Sequence, residues 1–234
     1  MNTPHSDTAA TVVAFLHTSP VHISTFDRLI TERLPGFRTT HLVDESLLAD
    51  ARRDGLSADL GSRVAARITE LAVELPATIV CTCSTIGPMV DAAAGCAPCP
   101  VVRGDRAVVE AAVAIAMSGS RRIGVAIAVE STAEPTLALI RTVAAERDQA
   151  ISTLLIPCFD AWAVFEAGDM DGYARRIADT VRRTTAEDNV DVIVLAQASM
   201  AAARQYLRDL AVPVLSSPDQ LVETIATAIE TRLI

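Results

Sequence analysis

The sequence predicts an α/β protein of two similar lobes, each a parallel sheet flanked by helices, with the candidate site in the cleft between them. Three observations point there. Short runs rich in Val and Ile alternate with amphipathic stretches along the chain, the pattern of strands and crossover helices in a parallel sheet. The runs are apolar nearly throughout, as in strands covered on both faces. The pattern also repeats: "TVVAFLHTSP" (11–20) is followed by "ATIVCTCST" (77–85), and "RRIGVAIAVEST" (121–132) by "VDVIVLAQASM" (190–200). Each half opens with a strand ending in small polar residues and later presents a second such strand.

In chain order, strands are expected over 11–16, 39–42, 78–81 and 101–102, and again over 123–129, 151–156, 192–195 and 212–215. Helices are expected over 60–75, 106–117, 135–147, 172–184, 201–210 and 220–233. Residues 1–100 with 212–234 are expected to form the first lobe, the last strand and helix crossing back to it, and 101–211 the second. Ligands of parallel sheets bind beyond the carboxyl ends of the strands. All four polar clusters sit at such ends, so one cleft can gather them.

Composition removes several function classes. Half of the 234 residues are hydrophobic and only 3% aromatic, so the core is built from Ala, Val, Leu and Ile. No apolar run approaches the length of a membrane span. "MNTPHSDTAA" lacks the basic start and apolar stretch of a secretory signal. Five cysteines in a chain of this size do not suggest a disulfide framework, so a reducing cytoplasm is the expected location. A net charge of −9 disfavours nucleic acid and anionic membranes as partners but leaves a small carboxylate open, because one arginine or a few backbone N–H groups can bind it. All 20 basic residues are arginine. Without lysine there is no Schiff-base chemistry, hence no pyridoxal phosphate, and no Walker A loop. The oligomeric state is open, a homo-oligomer included.

"IVCTCSTIGP" (79–88) and "VIVLAQASM" (192–200), placed in two repeated lobes, resemble the two signature segments of the aspartate/glutamate/hydantoin racemase superfamily. The resemblance covers nearly the whole chain and extends to "HLVDESLL" (41–48), "VVRGDRAVVEAA" (101–112), "RRIGVAIAVEST" and "VPVLSSP" (212–218). It implies Cys-Asn-Thr at the end of the first-lobe strand, where Cys83, Ser84 and Thr85 stand, and Gly-Cys-Thr or Gly-Cys-Ala at the end of the second-lobe strand, where Ala196, Gln197 and Ala198 stand. In that superfamily two thiols flank the substrate α-carbon, one removing a proton and the other delivering one from the opposite face, with no metal or organic cofactor. Here the first thiol is present and Gln197 replaces the second.

Cofactor-free proton abstraction beside a carboxylate needs a positioned base and donors on the developing oxyanion. An ordinary thiol is only roughly 3% thiolate at pH 7, and backbone N–H groups at a strand end are expected to lower its pKa. Cys83 is the expected catalytic group, with Ser84 and Thr85 holding a carboxylate or oxyanion. Cys81 is expected to be a buried strand residue. An amide neither gives nor takes a proton near neutrality, so Gln197 is expected to hold or orient the substrate from the other lobe, which disfavours symmetrical two-thiol racemisation.

The remaining candidates each have a functional and an ordinary reading. His17 and Ser19, in His-Thr-Ser-Pro after the first strand, reach the expected cleft rim; His17 pairs with Cys83 as a dyad or is a loop histidine. Ser131 and Thr132 bind the substrate carboxylate or cap the next helix. Ser199 donates to the substrate or caps. "CAPC" (96–99) has redox spacing but reads as a loop entry, and no metal site is expected. "GDMDGY" (168–173) reads as a helix-capping loop, and Asp44-Glu45 as polar loop. The functional expectation is a cofactor-independent racemase- or isomerase-like enzyme acting on a small carboxylate or cyclic amide through one cysteine. The alternatives are a decarboxylase or lyase of the same superfamily, or a two-lobe carboxylate-binding protein without turnover.

Overall fold

The computed structural model describes residues 11–186 and 188–232. The readings of the N-terminal ten residues and of the last two therefore lie outside the described residues. The chain builds two four-stranded parallel sheets of identical order. The first lobe contains β1 (Val12–His17), α1 (Ile23–Arg33), β2 (Arg38–Val43), α2 (Glu45–Asp54), α3 (Ala58–Ala72), β3 (Thr78–Cys81), α4 (Gly87–Ala92) and β4 (Val101–Arg103), with strand order β2-β1-β3-β4. Then come α5 (Arg106–Met117), β5 (Arg122–Ile127), α6 (Ala133–Ala145), β6 (Ser152–Pro157), α7 (Phe159–Glu166), α8 (Met170–Thr185), β7 (Val192–Leu195), β8 (Val214–Ser216) and α9 (Ser217–Arg232), with strand order β6-β5-β7-β8.

Each expected strand is present, and the internal repeat is a repeat of topology. Two strands join sheets other than expected. β4 pairs with β3 through Ile79↔Val101, so the first sheet extends past residue 100. β8 pairs with β7 through Ile193↔Val214, so the strand after residue 212 stays in the second sheet and only α9 crosses back. The reason is that β4 and β8 are equivalent fourth strands, each too short to declare its sheet by pattern. Continuous burial holds for the central strands; the edge strands β2 and β6 carry exposed residues.

The crossings tie the lobes together. α9 places Leu221, Val222 and Ile225 against Val13, Phe15 and Phe26 of the first lobe. α5 packs Val108, Val109, Ala112 and Val113 on the second sheet against Ile123, Val125, Val192 and Val194. Four helices escape the periodicity reading: α1, α2, α4 and α7. α2 has a local start signal in hindsight, since Asp44 accepts a hydrogen bond from the Ser46 N–H and Glu45 sits in the first turn. The "GDMDGY" segment does cap a helix, Asp169 accepting from the Gly172 N–H at 2.9 Å at the start of α8. The expected helix over 201–210 is a 3₁₀ run, Ala198–Tyr206.

Candidate active site

β3 ends at Cys81, and the next five residues turn over its carboxyl end into α4. Cys81 is buried and burial raises its pKa strongly, the behaviour of a packing thiol. Cys83 is only partly buried and faces the cleft. The Thr18 hydroxyl and the backbone N–H groups of Ile86 and Thr85 lie beside its sulfur and favour thiolate. Burial outweighs them, so the Cys83 pKa is raised, not lowered. The donors anticipated at the strand end are present; the desolvation of a closed site is what the sequence does not show.

The turn is fixed from beneath. Arg103, at the end of β4, is buried and forms two parallel bonds to Asp105, 2.7 Å from Nε and 2.9 Å from Nη2, and a third to Asp91 of α4 at 3.1 Å. Its guanidinium lies so close to Gly87 that a Cβ there would stand 2.4 Å from it, which explains glycine at the start of α4.

Both lobes contribute to one narrow cleft of about 30 Å³, room for one or two ordered waters. Of the residues singled out from sequence, Ser19, Cys83, Ser84, Thr85, Thr132, Gln197 and Ser199 line it. The Ser84 hydroxyl donates to the Ala196 carbonyl at 2.7 Å, and the Thr85 and Thr132 hydroxyls are 2.9 Å apart. Both bonds join the first lobe to the second. Ser199 is 3.0 Å from the Tyr173 hydroxyl.

Gln197 turns inward. Its Oε1 accepts from the backbone N–H of Ala128 at 2.7 Å and of Val129 at 3.2 Å, so it ties the end of β7 to the loop after β5 within its own lobe. Only the amide NH2 end remains to offer a substrate.

Two expectations fail geometrically. His17 does not line the cleft and makes no dyad with Cys83: it is fully buried, with Nδ1 2.8 Å from Thr82 Oγ1 and Nε2 2.8 Å from His41 Nδ1. The last strand residue turns under the sheet end, while the next two, Thr18 and Ser19, reach the rim. Ser131 lines a neighbouring cavity with Arg52, Glu130, Phe159 and Trp162, and its buried Oγ has no hydrogen-bond partner among the described residues.

Sequence reading missed Thr18, His22, Leu48, Thr82, Trp162 and Phe165, which complete the cleft lining. Thr18 and Thr82 adjoin named residues; Leu48, Trp162 and Phe165 sit on α2 and α7, the unassigned helices. At the mouth, Arg52 of α2 lies 5.1 Å from the centre of the Trp162 ring and pairs with Glu166 of α7 at 3.2 Å, a third link between lobes. Among the described residues no group of three or more His, Cys, Asp or Glu side chains is placed to hold a metal ion, and no helix is long and apolar enough to cross a membrane.

Two lobes with paired strand ends meeting over a cysteine lead to the comparison that decides the family. The family model for Asp/Glu/Hydantoin racemase matches residues 23–225. The chain belongs to that family. Solved structures of similar fold include glutamate racemase from Francisella tularensis subsp. tularensis SCHU S4 in complex with D-glutamate, at 16% identity and TM-score 0.73, covering 96% of this chain and 83% of that one. Allantoin racemase from Klebsiella pneumoniae matches at 16% identity and TM-score 0.67, covering 95% and 89%. Allantoin racemase from Pseudomonas fluorescens matches at 17% identity and TM-score 0.66, covering 95% and 92%. At such identities the likeness is one of fold. No curated protein sequence matches the chain. Family membership supports a racemase- or isomerase-type enzyme, and the family's architecture is the one built here.

Proposed function

We propose that this chain is a cofactor-independent enzyme acting on a small carboxylate or cyclic amide through a single thiol, Cys83. The carrying observation is the asymmetry of the cleft. Cys83 faces it with the Thr18 hydroxyl and two backbone N–H groups beside its sulfur, while Gln197, at the position of the second thiol, has its amide oxygen bound to its own lobe. Parting of the lobes would widen this narrow cleft for a substrate. Parting breaks the Ser84 to Ala196 and Thr85 to Thr132 bonds and releases donors beside the thiol, where a carboxylate can take them.

Loss of carbon dioxide followed by protonation is the second reading, and the raised Cys83 pKa favours it: a thiol kept protonated is a proton donor. Isomerisation would instead require the opened cleft to let the three donors stabilise thiolate.

The test is a thermal-shift panel of small mono- and dicarboxylates, hydantoins and related cyclic amides, coupled to iodoacetamide labelling mapped by mass spectrometry. A compound that raises Tm is expected to slow labelling of Cys83. Stabilisation without protection of Cys83 by every such compound would place binding elsewhere and contradict the reading.

A further inference from the structure

Behind the cleft runs a chain of hydrogen bonds for which the single-thiol reading has no use. Thr82, which lines the cleft, is 2.8 Å from His17 Nδ1; His17 Nε2 is 2.8 Å from His41 Nδ1; and His41 Nε2 is 2.9 Å from Asp27 Oδ1. The imidazoles lie nearly parallel, 5.1 Å apart, with Phe15 stacked against both. His17 is fully buried, whereas the Asp27 side chain is 46% exposed. The chain thus runs from cleft to solvent. The other titratable group facing His17 is His22, with ring centroids 6.0 Å apart; the neighbouring Thr39, 2.5 Å from Asp27 Oδ1, is uncharged.

Donor and acceptor roles follow from the ends. An ionised carboxylate only accepts, so His41 carries hydrogen on Nε2. When His41 is neutral its Nδ1 accepts, His17 carries hydrogen on Nε2, and the free Nδ1 of His17 accepts from the Thr82 hydroxyl. When His41 is protonated its Nδ1–H donates, His17 must accept on Nε2 and carry hydrogen on Nδ1, and Thr82 accepts from it. The Thr82 hydroxyl then has the Leu16 carbonyl at 3.4 Å, a long bond that leaves its proton weakly held. One proton added at His41 reverses the two bonds made by His17 and leaves the bond from His41 to Asp27 unchanged.

We propose that Thr82 is a second proton-transfer group of the cleft, supplied by His41 through His17, with Asp27 holding His41 in place. The inference rests on the cleft being a proton-transfer site, as proposed above. In the balanced step, Thr82 gives its hydroxyl proton to a substrate carbanion, the His17 Nδ1 proton moves to Thr82 Oγ1, and the His41 Nδ1 proton moves to His17 Nε2. The carbon gains one hydrogen and His41 becomes neutral, to be reprotonated from water. Decarboxylation consumes this proton; isomerisation returns one to water from Cys83. The relay supplies the donor that Gln197 cannot. Burial, which lowers the His17 pKa to about 3, keeps that ring neutral and able to pass a proton without holding it.

The test reads the wiring without turnover. In protein labelled with 15N-histidine, both rings should be Nε2–H tautomers at high pH, and protonating His41 should move the His17 hydrogen to Nδ1 in the same titration step. Asp27→Asn should shift that step, because the carboxylate accepts from His41 Nε2–H. His17 shifts that ignore His41 would overturn the relay. With a substrate in hand, Thr82→Val should lower kcat about a hundredfold and Thr82→Ser should restore most of it, while iodoacetamide labels Cys83 at the wild-type rate. Full turnover by Thr82→Val would also overturn it. Failure of the functional reading is separate, seen as no carboxylate protecting Cys83.

Discussion

Gln197 Oε1 accepts the backbone N–H of Ala128 at 2.7 Å, so the residue that replaces the expected second thiol holds its own lobe together. Ala128 and Val129 are both buried, and the carboxamide satisfies two N–H groups that no water reaches. Gln197→Ala should therefore lower unfolding free energy by about 1–3 kcal/mol, read as a lower urea midpoint at unchanged slope. An unchanged midpoint would mean that the amide is free to serve a substrate.

A second prediction concerns the bonds that close the cleft. Ser84 and Thr85 each bridge the lobes through a hydroxyl. Ser84→Ala should cost about 1 kcal/mol in stability, partly because the Ala196 carbonyl loses its donor. It should also raise the rate of Cys83 alkylation, since the closed state is weakened. An alkylation rate below that of the wild type would show that Ser84 does not hold the cleft shut.

The strand ends were legible because parallel sheets demand them: Thr82 to Thr85 and Gln197 to Ser199 break apolar runs abruptly. The cleft lining on α2 and α7 was not, because both helices are short and their burial rests on tertiary partners. α2 hides only Leu47 and Ala51, and α7 only Ala161. The direction of the Cys83 pKa was also out of reach. The donors beside it can be anticipated from a strand-to-helix turn, but the two hydroxyl bridges that narrow the cleft depend on residues far apart in sequence. Likewise His17 reads as a rim residue until β2 supplies His41 and the turn after β3 supplies Thr82 to hold it below.

The buried histidines predict a pH signature. Burial lowers the pKa of His17 to about 3 and of His22 to about 4, against an ordinary 6.5. Between those limits the unfolded chain binds more protons than the folded one, so stability rises with pH. It should be complete above about pH 6.5 and decline as pH falls towards 4, with carboxylates silent over the upper part of that range. Urea midpoints between pH 7 and 5 should fall accordingly; a flat profile would mean that the two rings protonate freely in the fold.

The central claim, one thiol carrying the chemistry, is tested most directly by proton NMR of small carboxylates and cyclic amides incubated in deuterated water with wild type and Cys83→Ala. The account predicts deuterium entering a substrate carbon with the wild-type protein and none with Cys83→Ala, whose fold remains intact by circular dichroism. It predicts no inversion of free aspartate or glutamate, because Gln197 offers no second thiol. Undiminished deuterium incorporation by Cys83→Ala would contradict it.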